Sequence, residues 1–142
     1  MPPLTRYQQL IQGWLDGTAP PAPITELIGF RFTAFENGEI RAELEAGQRH
    51  HNPMGTVHGG VLCDLADAAM GTAFAATLEE GESFATVSLA ASYLRAVREG
   101  LLSATARVVH RGRNVGHVEC EIVDAKGRQV ARFASACTVI RP

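Results

Sequence analysis

The sequence is short of cysteine and has no basic cluster. Its three cysteines, Cys63, Cys120 and Cys137, are odd in number and far apart, unlike a disulfide framework or a CxxC metal or redox site. Thirteen Lys and Arg residues stand against fifteen Asp and Glu, and no Lys/Arg run has the length of a nucleic-acid-binding patch. We therefore expect reduced thiols, a cytoplasmic protein and no nucleic-acid partner.

The sequence shows neither the unbroken apolar stretch of a secretory signal nor an uninterrupted membrane span. Its start, MPPLTRYQQLIQGWL, places a polar residue every few positions. The apolar run over residues 57–78 has enough residues to cross a bilayer, but Asp64, Asp67 and three glycines interrupt it. This run predicts a buried helix in a globular protein that has no membrane partner.

The 142 residues, of which 46% are hydrophobic and 20% charged, suffice for one domain with a substantial core. Apolar residues recur at helical spacing over residues 4–16, and the segment TAPPAP that follows is rich in proline. We predict an appended N-terminal helix with a Pro-rich linker over residues 1–22, and a single domain over residues 23–142.

The pattern of this domain indicates strands around one helix. FRFTAFENGEIRAELEA consists of two alternating runs around Asn37-Gly38, which predicts a β-hairpin. A helix from about His58 to Leu78 is apolar on nearly all sides, which indicates that a curled sheet encloses it. Four further strand-like runs, separated by the short breaks REG, RGRN and DAKG, predict a meander of antiparallel neighbours. The fold class is therefore α+β, a curved antiparallel sheet of five to six strands around one long central helix.

The pattern NxxGxxHGGxxxxxxD, from Asn52 to Asp67, covers the start of the central helix. Together with the element order it resembles the hotdog-fold thioesterases, in particular the PaaI-like branch that hydrolyses acyl-coenzyme A, over about residues 24–140. Relatives of the menaquinone-pathway type usually have Glu where Asp67 stands, so the aspartate favours the PaaI-like branch. The resemblance implies that the backbone N–H of Gly59 forms the oxyanion hole and that Asp67 is the general base or nucleophile. The residues that it implies for orienting substrate or water are Asn52, His58 and Thr86.

The helix start at His58-Gly59-Gly60 is suited to hold an oxygen that gains negative charge. The first N–H groups of a helix have no internal acceptor and lie at the positive end of the helix dipole, and glycine has no Cβ to keep a ligand off the backbone. The same glycines also permit a tight turn, so this segment alone leaves both interpretations open.

Asp67 follows Gly59 by eight residues, which is about 12 Å along a helix. One thioester carbonyl cannot touch both residues in the same chain. We therefore expect a homodimer in which the second copy supplies the aspartate, which also covers the open edge of the curved sheet. Further pairing into a homotetramer stays open.

Other residues have two interpretations each. Asp64, one turn before Asp67, is either the acid itself or a residue that complements the helix dipole, and Asp67 is alternatively a structural group bonded across an interface. His50, His51 and His58 do not have the spacing of a metal site, and we expect no metal. The expected substrate-binding residues are Gly60, then Met54, Met70 and Tyr93 along the acyl group, and Arg111 and Arg113 at the coenzyme A phosphates. Arg95 and Arg98, at another strand end, are further candidates for the phosphates. Their alternatives are plain core packing for the apolar side chains and solvated turns for the arginines.

These features predict a thioesterase that converts acyl-CoA to free acid and coenzyme A without a cofactor, since coenzyme A is part of the substrate. By resemblance, the acyl group is aromatic, such as phenylacetyl or hydroxybenzoyl, or of medium chain length. The alternatives are a hotdog protein that binds or senses acyl-CoA without turnover and a hotdog enoyl-thioester dehydratase.

Overall fold

The structure, a computed structural model, describes all 142 residues. The helices are α1 (Arg6–Asp16), α2 (Pro23–Ile28) and α3 (Gly59–Ala75), with a single 3₁₀ turn at Gln48–His50. The strands are β1 (Phe30–Glu36), β2 (Glu39–Ala46), β3 (Ser83–Tyr93), β4 (Gly100–Arg111), β5 (Val115–Val123) and β6 (Gln129–Ile140). None of the helices is long and apolar enough to cross a membrane.

The six strands form one antiparallel sheet in the order β1-β2-β4-β5-β6-β3, and α3 packs against its inner face. Leu65 and Phe74 of α3 have no exposed surface, and neither do Ala104 of β4 and Ile122 of β5. Each large side chain buried in this way stabilises the fold by about 1.5–3 kcal/mol relative to leaving it in water. The predicted fold, a curved antiparallel sheet around one long helix, is confirmed.

The turn between β1 and β2 consists of Asn37 and Gly38, with φ angles of 53° and 78°. Both angles lie in the left-handed region that a two-residue hairpin turn requires, and Asn and Gly adopt it at low cost. The predicted hairpin is therefore confirmed.

The predicted four-strand meander is wrong for its first strand. β3 pairs with β6 rather than with β4, so only β4, β5 and β6 form a meander. The six residues 94–99 can span about 20 Å, and three strand spacings amount to about 14 Å, so a short connection does not require neighbouring strands. Backbone hydrogen bonds hold this path, from Leu94 N to Val130 O at 2.9 Å and from Val57 N to Val97 O at 2.7 Å. As a result, β3 lies at an edge of the sheet.

The N-terminal helix α1 packs on the folded body, although the sequence indicated an appended helix. Ile11 is buried, and the indole of Trp14 stacks on Phe32 of β1 with 5.2 Å between ring centroids. Gln8 Nε2 also donates a 3.0 Å hydrogen bond to the carbonyl of Ala76, beyond the end of α3. The Pro-rich segment then leads directly into the short helix α2.

Candidate active site

The first turn of α3 presents one backbone donor that is not bonded within the chain. His58 caps the helix, and its Nδ1 accepts a 2.8 Å hydrogen bond from the N–H of Gly60. The N–H of Val61 donates to the His58 carbonyl at 2.9 Å. The N–H of Gly59 has no acceptor in the chain. It is thus the free donor at the positive end of the helix dipole, while the Gly60 amide is already occupied.

Gly59 lies directly against Tyr93, the last residue of β3. The Tyr93 hydroxyl donates a 3.0 Å hydrogen bond to the carbonyl oxygen of Gly59. A Cβ atom at position 59 would lie 2.8 Å from Cζ of Tyr93, closer than carbon atoms pack. A side chain at position 59 would therefore displace the Tyr93 ring from its present contact with the helix.

Asn52 shapes the loop that leads to this turn. Its Oδ1 accepts hydrogen bonds from the N–H of Met54 at 3.0 Å and of Thr56 at 3.1 Å, and its Nδ2 donates to Thr56 Oγ1 at 2.8 Å. The Asn52 amide is thus largely used in folding residues 52–56 into an Asx-type turn. Met54 is at the tip of the turn and is 72% exposed.

An open groove of about 430 Å³ runs beside the helix start. Of the residues singled out from the sequence, Asn52, Gly59, Tyr93 and Arg95 line it. The remaining lining residues are Thr56, Val57, Leu62, Leu94, Ala96 and Val97. Apolar walls with a few backbone and side-chain polar groups are typical of small-molecule sites.

Asp67, in the middle of α3, is bonded to the edge strand. Thr86 Oγ1 of β3 donates a 3.1 Å hydrogen bond to Asp67 Oδ1, and Asp67 Oδ2 has no partner within the chain. The register of β3 on β6 shifts between Thr86 and Ser88, so Val87 forms a bulge without a cross-strand partner. Bulges re-aim neighbouring side chains, and here the strand presents Thr86 to α3.

Asp64 is the second carboxylate on this part of α3. Partial burial raises its pKa above the usual value of 3.8, and the negative charge of Asp67 adds to this effect. Protonation of Asp64 is therefore easier in the folded protein than in an isolated aspartate.

The structure separates the other predicted site residues from the groove. Met70 has no exposed surface, and its sulfur accepts a 3.4 Å hydrogen bond from the Ser135 hydroxyl in the core. Arg111 is near the opposite end of α3, where its Nε donates to Thr77 Oγ1 at 2.8 Å. Arg113 lines the same polar cavity of about 500 Å³ as Arg111. These arginines are thus remote from Gly59 within one copy of the chain.

Sequence reasoning assigned no role to Cys63, which the structure places in the site. Its Sγ lies 3.2 Å from the Tyr93 hydroxyl. Cys63 follows Gly59 by four residues, so a shared helix face was the available signal. The other two cysteines are buried.

Comparisons with known proteins concern this same region. A family model described as the thioesterase superfamily matches residues 54–131. The 1,4-dihydroxy-2-naphthoyl-CoA hydrolase of Listeria monocytogenes is 30% identical over 116 residues, which are 82% of this chain and 93% of the relative. The matched segment contains the whole of α3, including Gly59 and Asp67.

Two solved structures are similar over nearly the entire chain. A phenylacetic acid degradation-related protein from Ralstonia eutropha JMP134 is 33% identical, with a TM-score of 0.83 over 91% of this chain and 98% of its own. The PaaI protein of E. coli is 22% identical, with a TM-score of 0.81 over 93% of this chain and 94% of its own, which is a likeness of fold.

Proposed function

Because the chain belongs to the thioesterase superfamily, with the hotdog fold that the motif predicted, we propose that it hydrolyses acyl-CoA thioesters at a site shared by two copies of the chain. The observation that carries this proposal is the unbonded N–H of Gly59, a residue that lines an open groove. Such a donor stabilises the oxyanion that forms when a thioester carbonyl is attacked.

The chemistry follows from two groups, the Gly59 amide and the Asp67 carboxylate. The thioester oxygen accepts a hydrogen bond from Gly59 N–H. With Asp67 as general base, its carboxylate takes a proton from water while the water oxygen bonds to the carbonyl carbon. The tetrahedral intermediate then collapses, the C–S bond breaks, and the coenzyme A thiolate receives that proton.

Asp67 is alternatively the nucleophile in the same arrangement. A carboxylate oxygen then bonds to the carbonyl carbon, the thiolate leaves, and water hydrolyses the resulting mixed anhydride. Both routes use the oxygen Oδ2, which has no partner within the chain, while Thr86 holds Oδ1. Incorporation of label from water into Asp67 during a single turnover identifies the anhydride route, because it requires water to attack the Cγ carbon of the aspartyl anhydride, whereas the general-base route places the label only in the acid product.

A second copy is required because Gly59 and Asp67 are eight residues apart on one helix, a rise of about 12 Å. The free edge of β3 supports this pairing. The strand, SFATVSLAASY, contains no charged residue and no proline, and Val87 and Tyr93 are 59% and 54% exposed. Proteins that keep a strand edge unpaired usually protect it with charged residues or proline. Their absence from β3 favours pairing of this edge with a second copy.

We propose that the two copies meet along β3. If two β3 strands pair antiparallel about their middle residue, Ser88, then Thr86 of the second copy lies opposite Ala90. That position is three residues, or about 10 Å, from Tyr93. The Asp67 that is bonded to Thr86 thus approaches the Gly59 that touches Tyr93.

We propose an aromatic or medium-chain acyl group. The groove is lined by Val57, Leu62, Tyr93 and Leu94, which suit an apolar group. Two similar proteins are named for naphthoyl-CoA hydrolysis and phenylacetic acid degradation, which favours aromatic substrates. Coenzyme A enters as part of the substrate, and no cofactor is invoked.

The deciding experiment measures free thiol release from phenylacetyl-, hydroxybenzoyl- and octanoyl-CoA by the wild type, Asp67→Asn and the neighbouring control Asp64→Asn. We expect Asp67→Asn to lower kcat by about 10²- to 10⁴-fold and Asp64→Asn to retain most of it. Undiminished turnover in Asp67→Asn removes this residue from the mechanism. Intact ligand after hours with the wild type supports a binding protein, and hydration of an enoyl-CoA supports a dehydratase. Normal cleavage by a sedimenting monomer contradicts the shared site.

A further inference from the structure

We propose that Tyr93 is a positioning residue for the thioester carbonyl, and that Cys63 is the hydrogen-bond donor that holds Tyr93 in place. The inference deepens the proposed function, on which it rests. Tyr93 ends the edge strand β3, Cys63 lies on α3, and both meet at Gly59. Tyr93 acts through Gly59 and need not touch the reacting atoms.

The direction of the hydrogen bonds follows from the number of protons. A phenol has one O–H, and the Tyr93 hydroxyl donates it to the Gly59 carbonyl at 3.0 Å. The Cys63 sulfur, 3.2 Å from the same oxygen, must then supply the proton for the contact between them. The order is therefore Cys63 S–H to Tyr93 O–H to Gly59 C=O.

This chain continues through the peptide unit that joins Gly59 to Gly60. The carbonyl of that unit accepts from Tyr93, and its N–H donates to His58 Nδ1 at 2.8 Å. The peptide plane is thus held on both sides, and hydrogen bonds in series strengthen one another. Since His58 Nδ1 is an acceptor, the neutral ring carries its proton on Nε2.

Gly59 needs this restraint because it carries the free N–H and has the least restricted backbone of any residue. The N–H belongs to the peptide unit before Gly59, and the unit after Gly59 is the one held by Tyr93 and His58. The ring of Tyr93 also occupies the space where a Cβ at position 59 would be. Fixing the glycine preorganises the donor, which is the main source of oxyanion stabilisation.

The surroundings of the Tyr93 hydroxyl favour its protonated form, which is the form that donates a hydrogen bond. The Cys63 sulfur beside the hydroxyl raises the pKa of Tyr93 to about 12, because a thiolate there would favour the protonated phenol, and burial adds to this effect. Tyr93 therefore keeps its proton throughout the pH range in which a thioesterase is assayed, and the contact with Gly59 is retained.

The test compares Tyr93→Phe with Tyr7→Phe. These are the only two tyrosines. The Tyr7 hydroxyl also makes one hydrogen bond, at 3.0 Å to Ser83 Oγ, but Ser83 begins β3 whereas Tyr93 ends it. We expect Tyr93→Phe to lower kcat about 10- to 100-fold, since small misplacements of a catalytic group cost this much. KM should stay within about twofold of wild type, as expected when only a transition-state contact is weakened. Tyr7→Phe should leave kcat unchanged.

Variants of Cys63 test the donor. Cys63→Ser keeps a proton to donate and should retain kcat, whereas Cys63→Ala should lower it. The double variant Cys63→Ala/Tyr93→Phe should be no slower than Tyr93→Phe alone, because the two residues act in one chain. Equal kcat in Tyr93→Phe and wild type, or additive losses in the double variant, overturns the inference.

Two further measurements separate this inference from the proposed function. Sedimentation of each variant identifies any loss of the dimer, and hydrogen exchange reports the Gly60 amide, which should lose protection in Tyr93→Phe but not in Tyr7→Phe. If the wild type cleaves no thioester, the proposed function fails, and the exchange result still decides whether Tyr93 holds this turn. If the wild type cleaves thioesters and Tyr93→Phe matches it in kcat and exchange, only the present inference fails.

Discussion

The hydroxyl of Thr86 donates a 3.1 Å hydrogen bond to Oδ1 of Asp67 and thereby joins the edge strand β3 to the middle of α3. The bond leaves the other carboxylate oxygen, Oδ2, without a partner within the chain. It also places the carboxylate beside the strand edge that a second copy is expected to cover.

Replacing Thr86 by valine should therefore slow thioester hydrolysis while preserving the fold. Valine has nearly the same shape but no hydroxyl, so Asp67 loses a hydrogen bond to a charged group, a loss of about 1.5–3 kcal/mol. Part of this is regained from water, and we expect kcat to fall about tenfold. Thr86→Ser, which keeps the hydroxyl, is the matched control in a thiol-release assay. Equal turnover in the valine and serine variants would show that the bond does not position the carboxylate.

Gly59→Ala should impair both stability and turnover. The new Cβ would lie 2.8 Å from Tyr93 Cζ, and such overpacking typically costs about 1–3 kcal/mol. Gly47→Ala is the control, because φ there is −156° and nothing lies within 4 Å of the added Cβ. Urea unfolding and thiol release on both variants check this. A fully active Gly59→Ala protein of wild-type stability would contradict the tight contact between Gly59 and Tyr93.

Val87→Lys should dissociate the proposed dimer and abolish turnover together. Val87 is the 59% exposed bulge residue of β3, and a lysine on an edge strand opposes pairing. Val109→Lys is closely matched, since Val109 is also an exposed valine at a register shift, but on the interior strand β4. Sedimentation velocity and thiol release are measured on the same samples. A monomeric Val87→Lys protein that cleaves thioesters as fast as the wild type would contradict the shared-site proposal.

Asp64→Asn should change stability in a pH-dependent way. The pKa of Asp64 is raised by burial and by the charge of Asp67, so its ionised form is less favourable in the folded than in the unfolded protein. The variant should be more stable than wild type at neutral pH, and this gain should vanish as the pH falls below the usual carboxyl value of 3.8.

The opposite sign is expected for Asp16, whose pKa is lowered by the hydrogen bond from Thr18. Asp16→Asn should lose stability at neutral pH, and the loss should disappear in acid. Denaturant unfolding of both variants at pH 7 and pH 3 gives the comparison. If the stability difference between Asp64→Asn and wild type were the same at both pH values, the loss of the Asp64 charge would not be its cause.

Local features of the sequence predicted the local parts of this structure. Asn37-Gly38 specified the hairpin because both residues accept a left-handed backbone, and the glycines after His58 marked the start of α3. Asp67 was singled out as a candidate through the spacing of its motif, and its role stays a prediction. These signals involve residues close in the chain, where geometry depends on few degrees of freedom.

Contacts between distant segments were not visible in the sequence. The hydrogen bond between Tyr93 and Gly59 joins residues 34 positions apart. The connection from β3 to β4 crosses two other strands, and its length alone did not reveal that β3 lies at the sheet edge. Met70 was assigned to the acyl group, but on a helix that is apolar on nearly all sides the spacing cannot separate core from lining. Its 0% exposure comes from the strands that pack over it.

The docking of α1 through Trp14 has an optical consequence. Trp14 is the only tryptophan in the chain, and it stacks on Phe32 of β1. Its fluorescence emission therefore reports specifically on whether α1 is packed against β1. Trp14 emission and circular dichroism are measured in the same denaturant titration. Coincident curves identify one cooperative unit, whereas a change in emission at lower denaturant shows that α1 detaches before the rest of the domain unfolds.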